Sequence, residues 1–408
     1  MRRLLTLRRS FREFLLELLL MKLSKYCKLF ISQGSYFIYS SLTNSFAQIE
    51  SDVFNALDSG KFEDLPEEVL QTLKSMKVLG VDDELEKEKI KYKILSSRFN
   101  PQKLYLTINP TLACNFACAY CFEGQLPNHI MTAEVEDAIV RFVNRHELAK
   151  EIHVNWFGGE PLMAFDNIIS LTKKLQRLGK NYFAGMITNG YLMTPDKVAE
   201  FRNLHIKSVQ ITIDGSAEVH NKRRPLRNGK KTFETIVHNI QQAQLVDADL
   251  NIIIRVNLDR DNQSSFDEVL TLFPSKDYPS VRVYPAFVSN ANGIKSNCSF
   301  DDNGIASFLL KQYYEKGRYS KHFYPEFNRG ACAVRKPNSF VIGPKGELYK
   351  CWNDVGIESK SFGTVYGAIT NERILYNYLI KADPLFNKEC DECAFMPVLM
   401  AAVHIRGL

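Results

Sequence analysis

The chain has 408 residues, 45% of them hydrophobic and 24% charged, with a formal net charge of +6. That composition suits a globular protein of two or three domains, and the charge is too weak and diffuse to argue for nucleic acid. No apolar run is long enough to span a bilayer; nine cysteines, clustered and odd in number, favour metal or redox chemistry in a reducing, cytoplasmic setting over a disulfide framework.

The first twenty residues, MRRLLTLRRSFREFLLELLL, resemble a short signal. Glu17 interrupts the apolar part, however, and no small-residue cleavage site follows. Met21 opens MKLSKYCKLF, which reads as an ordinary start, so residues 1–20 are expected to be an upstream extension or a frayed helix. Residues 25–50 alternate apolar and polar around a Gln-Gly turn, which predicts a hairpin. Helical patterns follow at 51–58 and 66–77, and the charged run DDELEKEKIKYK (82–93) predicts a solvated helix. Residues 21–98 therefore read as a small α+β module.

From Lys103 the pattern becomes strand, loop, helix, repeated. Candidate strands occupy 103–110, 151–157, 182–188, 208–214, 251–258 and 281–288, with amphipathic helices between them, such as 132–146 and 167–179. Six β/α units predict an α/β fold with a parallel sheet or partial barrel. Cys114 follows the first strand, FGGEP (157–161) the second, TNG (188–190) the third and DG (214–215) the fourth; Arg255 and Asn257 lie towards the end of the fifth. Gly, Asn and Asp make turns at such places in any protein. Four consecutive cases beside a cysteine cluster instead outline the rim where β/α barrels build active sites.

Cys114, Cys118 and Cys121 lie four and three residues apart. Three thiolates leave a tetrahedral zinc short of one ligand, and neither His129 nor His153 stands at a close spacing. A cubane iron–sulfur cluster fits better, one iron keeping an open position.

The Cys-x3-Cys-x2-Cys pattern, with Tyr120 before its last cysteine, resembles the signature of the radical S-adenosylmethionine (SAM) superfamily. The glycine motif, TNG, TIDG and RVN resemble that family in order and spacing over roughly 103–290. The resemblance implies a partial (β/α)6 TIM-type barrel over 99–290 and a [4Fe-4S] cluster on Cys114, Cys118 and Cys121. The open iron would bind the amino and carboxylate groups of SAM, and reductive cleavage would give a 5′-deoxyadenosyl radical that abstracts hydrogen. Gly158, Gly159 and Glu160 would lie near the methionine amino group and Tyr120 near the adenine. Thr212 and Arg224 would contact the ribose and carboxylate. Asn189 of TNG and Arg255 of RVN complete the cofactor-binding set. No catalytic residue is assigned beyond these. The run HNKRRPLRNGKK (220–231) carries seven basic residues; a bare run of this kind is a solvated loop as readily as a site. Cys27 and Cys298 have no clustered partners and read as structural or incidental.

Cys332, then Gly346 and Cys351, then Cys390-x2-Cys393 resemble the SPASM extension of radical SAM enzymes, which implies auxiliary iron–sulfur clusters over 325–408. The family pattern continues with two further cysteines, the last preceded by Gly-Gly. Here those positions hold Leu399 and Val403, with Ala401 and Ala402 for the glycines. The codons for the last ten residues, read in another phase, can spell Tyr-Gly-Gly-Cys, which implies a lost base near codon 398; the DNA sequence tests this. As written, Cys332, Cys351, Cys390 and Cys393 could share one cluster or a zinc.

The leading expectation is a radical SAM–SPASM enzyme that modifies a ribosomally made peptide, served by an electron donor such as flavodoxin or ferredoxin, with neither nucleic acid nor membrane as partner. The N-terminal module resembles the peptide-recognition domains of such maturases, where an edge strand takes up a leader peptide; it reads equally as a plain structural domain. Anaerobic sulfatase maturases form the alternative. They commonly place a carboxylate directly after the second SPASM cysteine, where this chain has Trp352, with Asp354 two further on. An inactive iron–sulfur or zinc-binding remnant is the reading of a different class.

Overall fold

Segments of period two and segments of helical spacing alternate in both of the chain's two compact units. The first comprises 1–99, 319–336 and 377–408; the second comprises 100–318 and 337–376. The structure is a computed structural model and describes residues 21–62, 64–80, 82–121, 128–288, 299–318, 332–367 and 369–399. Residues 1–20, Cys298, Ala401, Ala402 and Val403 lie outside the described residues.

In the first unit a short strand β1 (Lys22–Leu23) leads into β2 (Cys27–Ser32), β3 (Ser35–Ser40) and β4 (Ser45–Ile49), an antiparallel meander in the order β2-β3-β4. The expected hairpin thus gains a third strand. Gln33 and Gly34 make the first turn with φ of 50° and 77°, the left-handed pair that two-residue hairpins require. Ile38 packs from the inner face on Leu57, Leu70, Leu73 and Val78. Leu57 comes from the helix Ser51–Ser59, and Leu70 and Leu73 from Glu67–Ser75. β5 (Leu79–Gly80) returns to pair with β1.

The charged run forms the helix Asp83–Arg98, longer than its polar stretch. Asp82 caps it, accepting from the Leu85 N–H at 3.0 Å, and acids fill its first turn, as the helix dipole favours. Ile90, Ile94 and Arg98 lie four residues apart on one buried stripe. The two isoleucines pack on Tyr26, Leu385 and Met396, and the Arg98 guanidinium pairs with Asp383, both side chains buried.

The second unit holds a nine-stranded sheet. Its first six strands are β6 (Lys103–Ile108), β7 (Glu151–Trp156), β8 (Asn181–Thr188), β9 (Ile206–Thr212), β10 (Asn251–Leu258) and β11 (Val281–Phe287). All six are parallel and adjacent in chain order, the topology of successive right-handed crossovers. Each begins and ends within two residues of its sequence expectation. Leu104, Leu106 and Ile108 are buried, as are Ile152, Val154 and Trp156, and their alternates Thr107 and Asn155 are half-buried. One face thus carries helices and the other lines a partial barrel.

The sheet does not stop at six strands. β12 (Ser339–Ile342) adds parallel to β6, and β13 (Glu347–Tyr349) and β14 (Gly363–Thr364) follow antiparallel. The SPASM-like span is therefore divided: 337–376 continues the sheet of the second unit, while 332–336 and 377–399 fold with the first.

Candidate functional site

The cysteine loop, 109–121, is held by two other loops at the C-terminal ends of the strands. Behind it lies the loop after β7. Gly159 N donates to Thr111 O at 3.2 Å and Glu160 N to Ala113 O at 2.9 Å. Gly158 sits at φ 115°, and a Cβ there would collide with the Thr111 carbonyl oxygen; one on Gly159 would collide with those of Leu112 and Ala113. Both glycines are thus required by the cysteine loop itself, whatever else approaches them.

In front of it runs 223–227. Ala119 N donates to Arg223 O at 3.2 Å, Ala117 N to Pro225 O at 2.9 Å and Arg227 N to Asn115 O at 2.9 Å. Phe116 and Leu226 bridge in antiparallel fashion, and Arg227 Nε donates to the Cys114 carbonyl at 2.6 Å. Half of the basic run is therefore structural: it zips onto the cysteines.

Two buried hubs fix these loops. Glu160 is fully buried. Its Oε1 accepts from Leu162 N at 3.0 Å and Thr188 Oγ1 at 2.6 Å, and Oε2 accepts from Asn189 N at 2.7 Å. Burial pushes its pKa up, and these hydrogen bonds work against that. Asn189 Nδ2 in turn donates to Asn115 Oδ1 at 2.7 Å, beside Cys114. The expectation that Glu160 receives an ammonium meets a carboxylate already engaged by three donors of the chain.

The second hub is Asp214. It accepts from the Tyr120 hydroxyl, from Arg223 Nε at 3.2 Å and from Asn257 N at 3.3 Å. The Tyr120 oxygen itself accepts from Arg224 Nη1 at 2.7 Å and Asn257 Nδ2 at 3.1 Å. Arg255 Nε donates to Asn257 Oδ1 at 2.7 Å, and Arg223 reaches Asp259 at 2.8 Å. Beneath lies His220, fully buried, whose Nδ1 accepts from Asp214 N at 3.3 Å. Burial, then the Arg224 charge, pulls its pKa down to about 3, so the ring is neutral with its proton on Nε2.

The structure thus brings together Cys114, Cys118, Cys121, Tyr120, Gly158, Gly159, Glu160, Asn189 and Arg224, with Arg255 joined through Asn257. Thr212 stands opposite Arg255 on β9, on the half-buried face. Asp214, Arg223, Asn257 and Asp259 were missed as site residues. Asp214 and Asp259 lie just past strand ends, where turn chemistry also explains them, while Asn257 is within β10 and Arg223 ends the helix Ala217–Arg223.

Of the C-terminal cysteines, Cys332, Cys390 and Cys393 belong to the first unit and Cys351 to the second. Among the described residues no three His, Cys, Asp or Glu donors close round a single ion. A cubane spreads its thiolates over separate irons, so the 114–121 loop need not converge on one point.

Residues 108–273 match the family described as the radical SAM superfamily. The chain carries a radical SAM domain. The domain is that of an enzyme, and its cofactors are SAM and a [4Fe-4S] cluster. Among curated proteins, the chain is 31% identical to a serine-type anaerobic sulfatase-maturating enzyme of Bacteroides thetaiotaomicron, over 38% of this chain and 40% of that one. It is 23% identical to the cysteine-type enzyme of Clostridium novyi, over 73% and 87%. The chain thus spans less than half of the first relative and most of the second. Among solved structures it resembles anSMEcpe with bound AdoMet and the Kp18Cys peptide (TM-score 0.57, 20% identity, 72% of this chain and 88% of that). It also resembles Streptococcus suis SuiB bound to precursor peptide SuiA (0.51, 12%, 93% and 94%). At such identities the likeness shows the radical SAM fold.

The residues fit these cofactors. Three cysteines lie on one loop braced from both sides, and burial raises the Cys114 thiol to about 12; a bound metal would favour its thiolate. The buried Arg224 Nε has no hydrogen-bond partner among the described residues. An orphaned guanidinium N–H is a ready donor for a ligand carboxylate.

Proposed function

We propose that the chain abstracts hydrogen from a side chain of a ribosomally made peptide during its maturation, with Cys114, Cys118 and Cys121 as cluster ligands. The observation that carries this reading is the clamped cysteine loop beside the buried Arg224. When bound, the cluster and SAM supply a 5′-deoxyadenosyl radical. The chain's own residues position and enclose. Gly158 and Gly159 let the loop after β7 back the cysteines, Glu160 and Asn189 set the Cys114 edge, and the Asp214–Tyr120–Arg224 chain sets the other edge. Arg224 is the residue proposed to take the SAM carboxylate, through its unused Nε–H.

Two further features support a peptide substrate. β2 and β4 end the meander without a sheet neighbour among the described residues, and such edges can take up an extended chain. Phe30, Phe37 and Phe46 stack on its outer face at 5.5–5.9 Å, a site for apolar side chains. The sulfatase-maturase reading is second, supported by the Bacteroides and Clostridium relatives. Against it, Trp352 is exposed and tilted against Phe157 at 5.5 Å where those enzymes commonly place a carboxylate, and Asp354 is buried.

The test incubates the reconstituted enzyme with any short peptide encoded beside its gene and, separately, with any sulfatase encoded nearby. A mass change confined to the peptide is the expected result. Modification of the sulfatase alone would overturn the reading in favour of the alternative.

A further inference from the structure

Strand parity sorts the side chains of the six parallel strands. Tyr182 of β8 meets Thr172 of the helix Phe165–Gln176 at 3.2 Å, so the alternate positions of β8, and those in register with them, face the barrel lining. On β6–β8 that lining holds one carboxylate, Glu151, already engaged by Lys103 at 3.0 Å and His153 at 2.8 Å. Strands β9–β11 contain neither Asp nor Glu. Their lining carries two arginines instead.

Arg255 is half-buried on β10, opposite Thr212 of β9 and Tyr284 of β11. Its Nε donates to Asn257 Oδ1 at 2.7 Å, which aims the side chain and leaves both terminal nitrogens without a partner among the described residues. Arg282 is exposed on β11, opposite Ile253, and its guanidinium has no partner among the described residues. One strand and two residues separate the two arginines, about 8 Å between Cα atoms at standard sheet spacings. Two such long side chains can close on one carboxylate. Between them the Tyr284 hydroxyl reaches across β10 and donates to Gln210 Oε1 at 3.0 Å, which leaves the Gln210 amide N–H groups as further donors. Cations and donors on a lining without a counter-charge are complementary to an anionic group brought from outside.

We propose that Arg255 and Arg282 clamp a carboxylate of the substrate, so that the peptide carries an Asp or Glu side chain close to the residue that loses hydrogen. The closeness follows from Asn257, which joins Arg255 to the Tyr120 hydroxyl at 3.1 Å, beside Cys121. The clamp gives Arg255 to the substrate and leaves the SAM carboxylate to Arg224. This inference rests on the peptide-maturation reading and narrows its substrate to an acidic peptide.

The experiment titrates the whole chain, anaerobically reconstituted, unreduced and saturated with SAM, with three synthetic peptides in a calorimeter. They are acetyl-Ala-Phe-Glu-Ala-amide, its Gln counterpart, and that Gln peptide with a free C-terminal carboxylate. The Glu peptide should bind about tenfold tighter than the Gln amide, the worth of a charge-assisted pair of hydrogen bonds. Arg282→Gln and Arg255→Gln should each erase most of that preference. Arg177→Gln, on an exposed residue at the end of the helix Phe165–Gln176, should keep it. Equal binding of the Glu and Gln amides, no binding of either, or a preference that survives both arginine variants would overturn the clamp. Tight binding of the free-terminus peptide alone would overturn the side-chain assignment in favour of a chain end. A wild type that prefers the Glu peptide but releases no 5′-deoxyadenosine on reduction keeps the clamp and fails the parent reading instead.

Discussion

Glu160 ties its own loop to the end of β8 with one carboxylate, and its three donors come from the chain itself. Glu160→Gln puts an NH2 group against one of those donors and strips the charge that strengthens all three bonds. A loss of about 1–3 kcal/mol in denaturant stability is expected, together with reduced iron uptake. His220 gives a pH signature. Its pKa is about 3 in the fold and about 6.5 in an unfolded chain, so below pH 6.5 the unfolded state binds the extra proton. Stability therefore falls as pH drops from about 6.5 towards 3, by about 2 kcal/mol at pH 5 from this group. His220→Asn keeps an acceptor for Asp214 N–H and should flatten that slope in melts at pH 7.5 and 5.0; an unchanged slope would place the acid sensitivity elsewhere. From sequence, His220 and Asp214 were a basic-run member and a turn residue. Only the fold reveals that one accepts from the other's backbone, because side chains that meet across loops leave no period in the chain.

Loops and strands differ in how much they disclose. The six parallel strands were legible because each buries an alternating apolar face, and the rim motifs followed from their ends. β4, β12, β13 and β14 were not, because short strands carry too few alternations to stand out from loops. The clamp on the cysteine loop was also hidden: backbone pairing between 115–119 and 223–227 has no side-chain code. It makes a sharp prediction at Gly159. Gly159→Ala drives a methyl into the carbonyls of Leu112 and Ala113, so the cysteine loop must move. Secondary structure by circular dichroism should persist while bound iron falls severalfold. Gly80→Ala, with open space at its Cβ, should retain wild-type iron. On the helix Asp83–Arg98, Ile94→Ala empties a buried position and should cost about 2–5 kcal/mol, read by chemical denaturation of the whole protein.

At the scale of the whole molecule, one unit carries the cysteine loop and the other a meander with open edges and three of the C-terminal cysteines. Among the described residues no helix is long and apolar enough to cross a membrane. The division of 325–408 between two units could not be read from cysteine spacing, which records order along the chain but not which sheet a segment joins. The central claim is that Cys114, Cys118 and Cys121 support reductive cleavage of SAM. The direct measurement is 5′-deoxyadenosine released by the anaerobically reconstituted, dithionite-reduced chain given SAM. Release from wild type, and none from Cys118→Ala, is the expected result. A soluble wild-type protein with a full complement of iron and sulfide that releases none would contradict it.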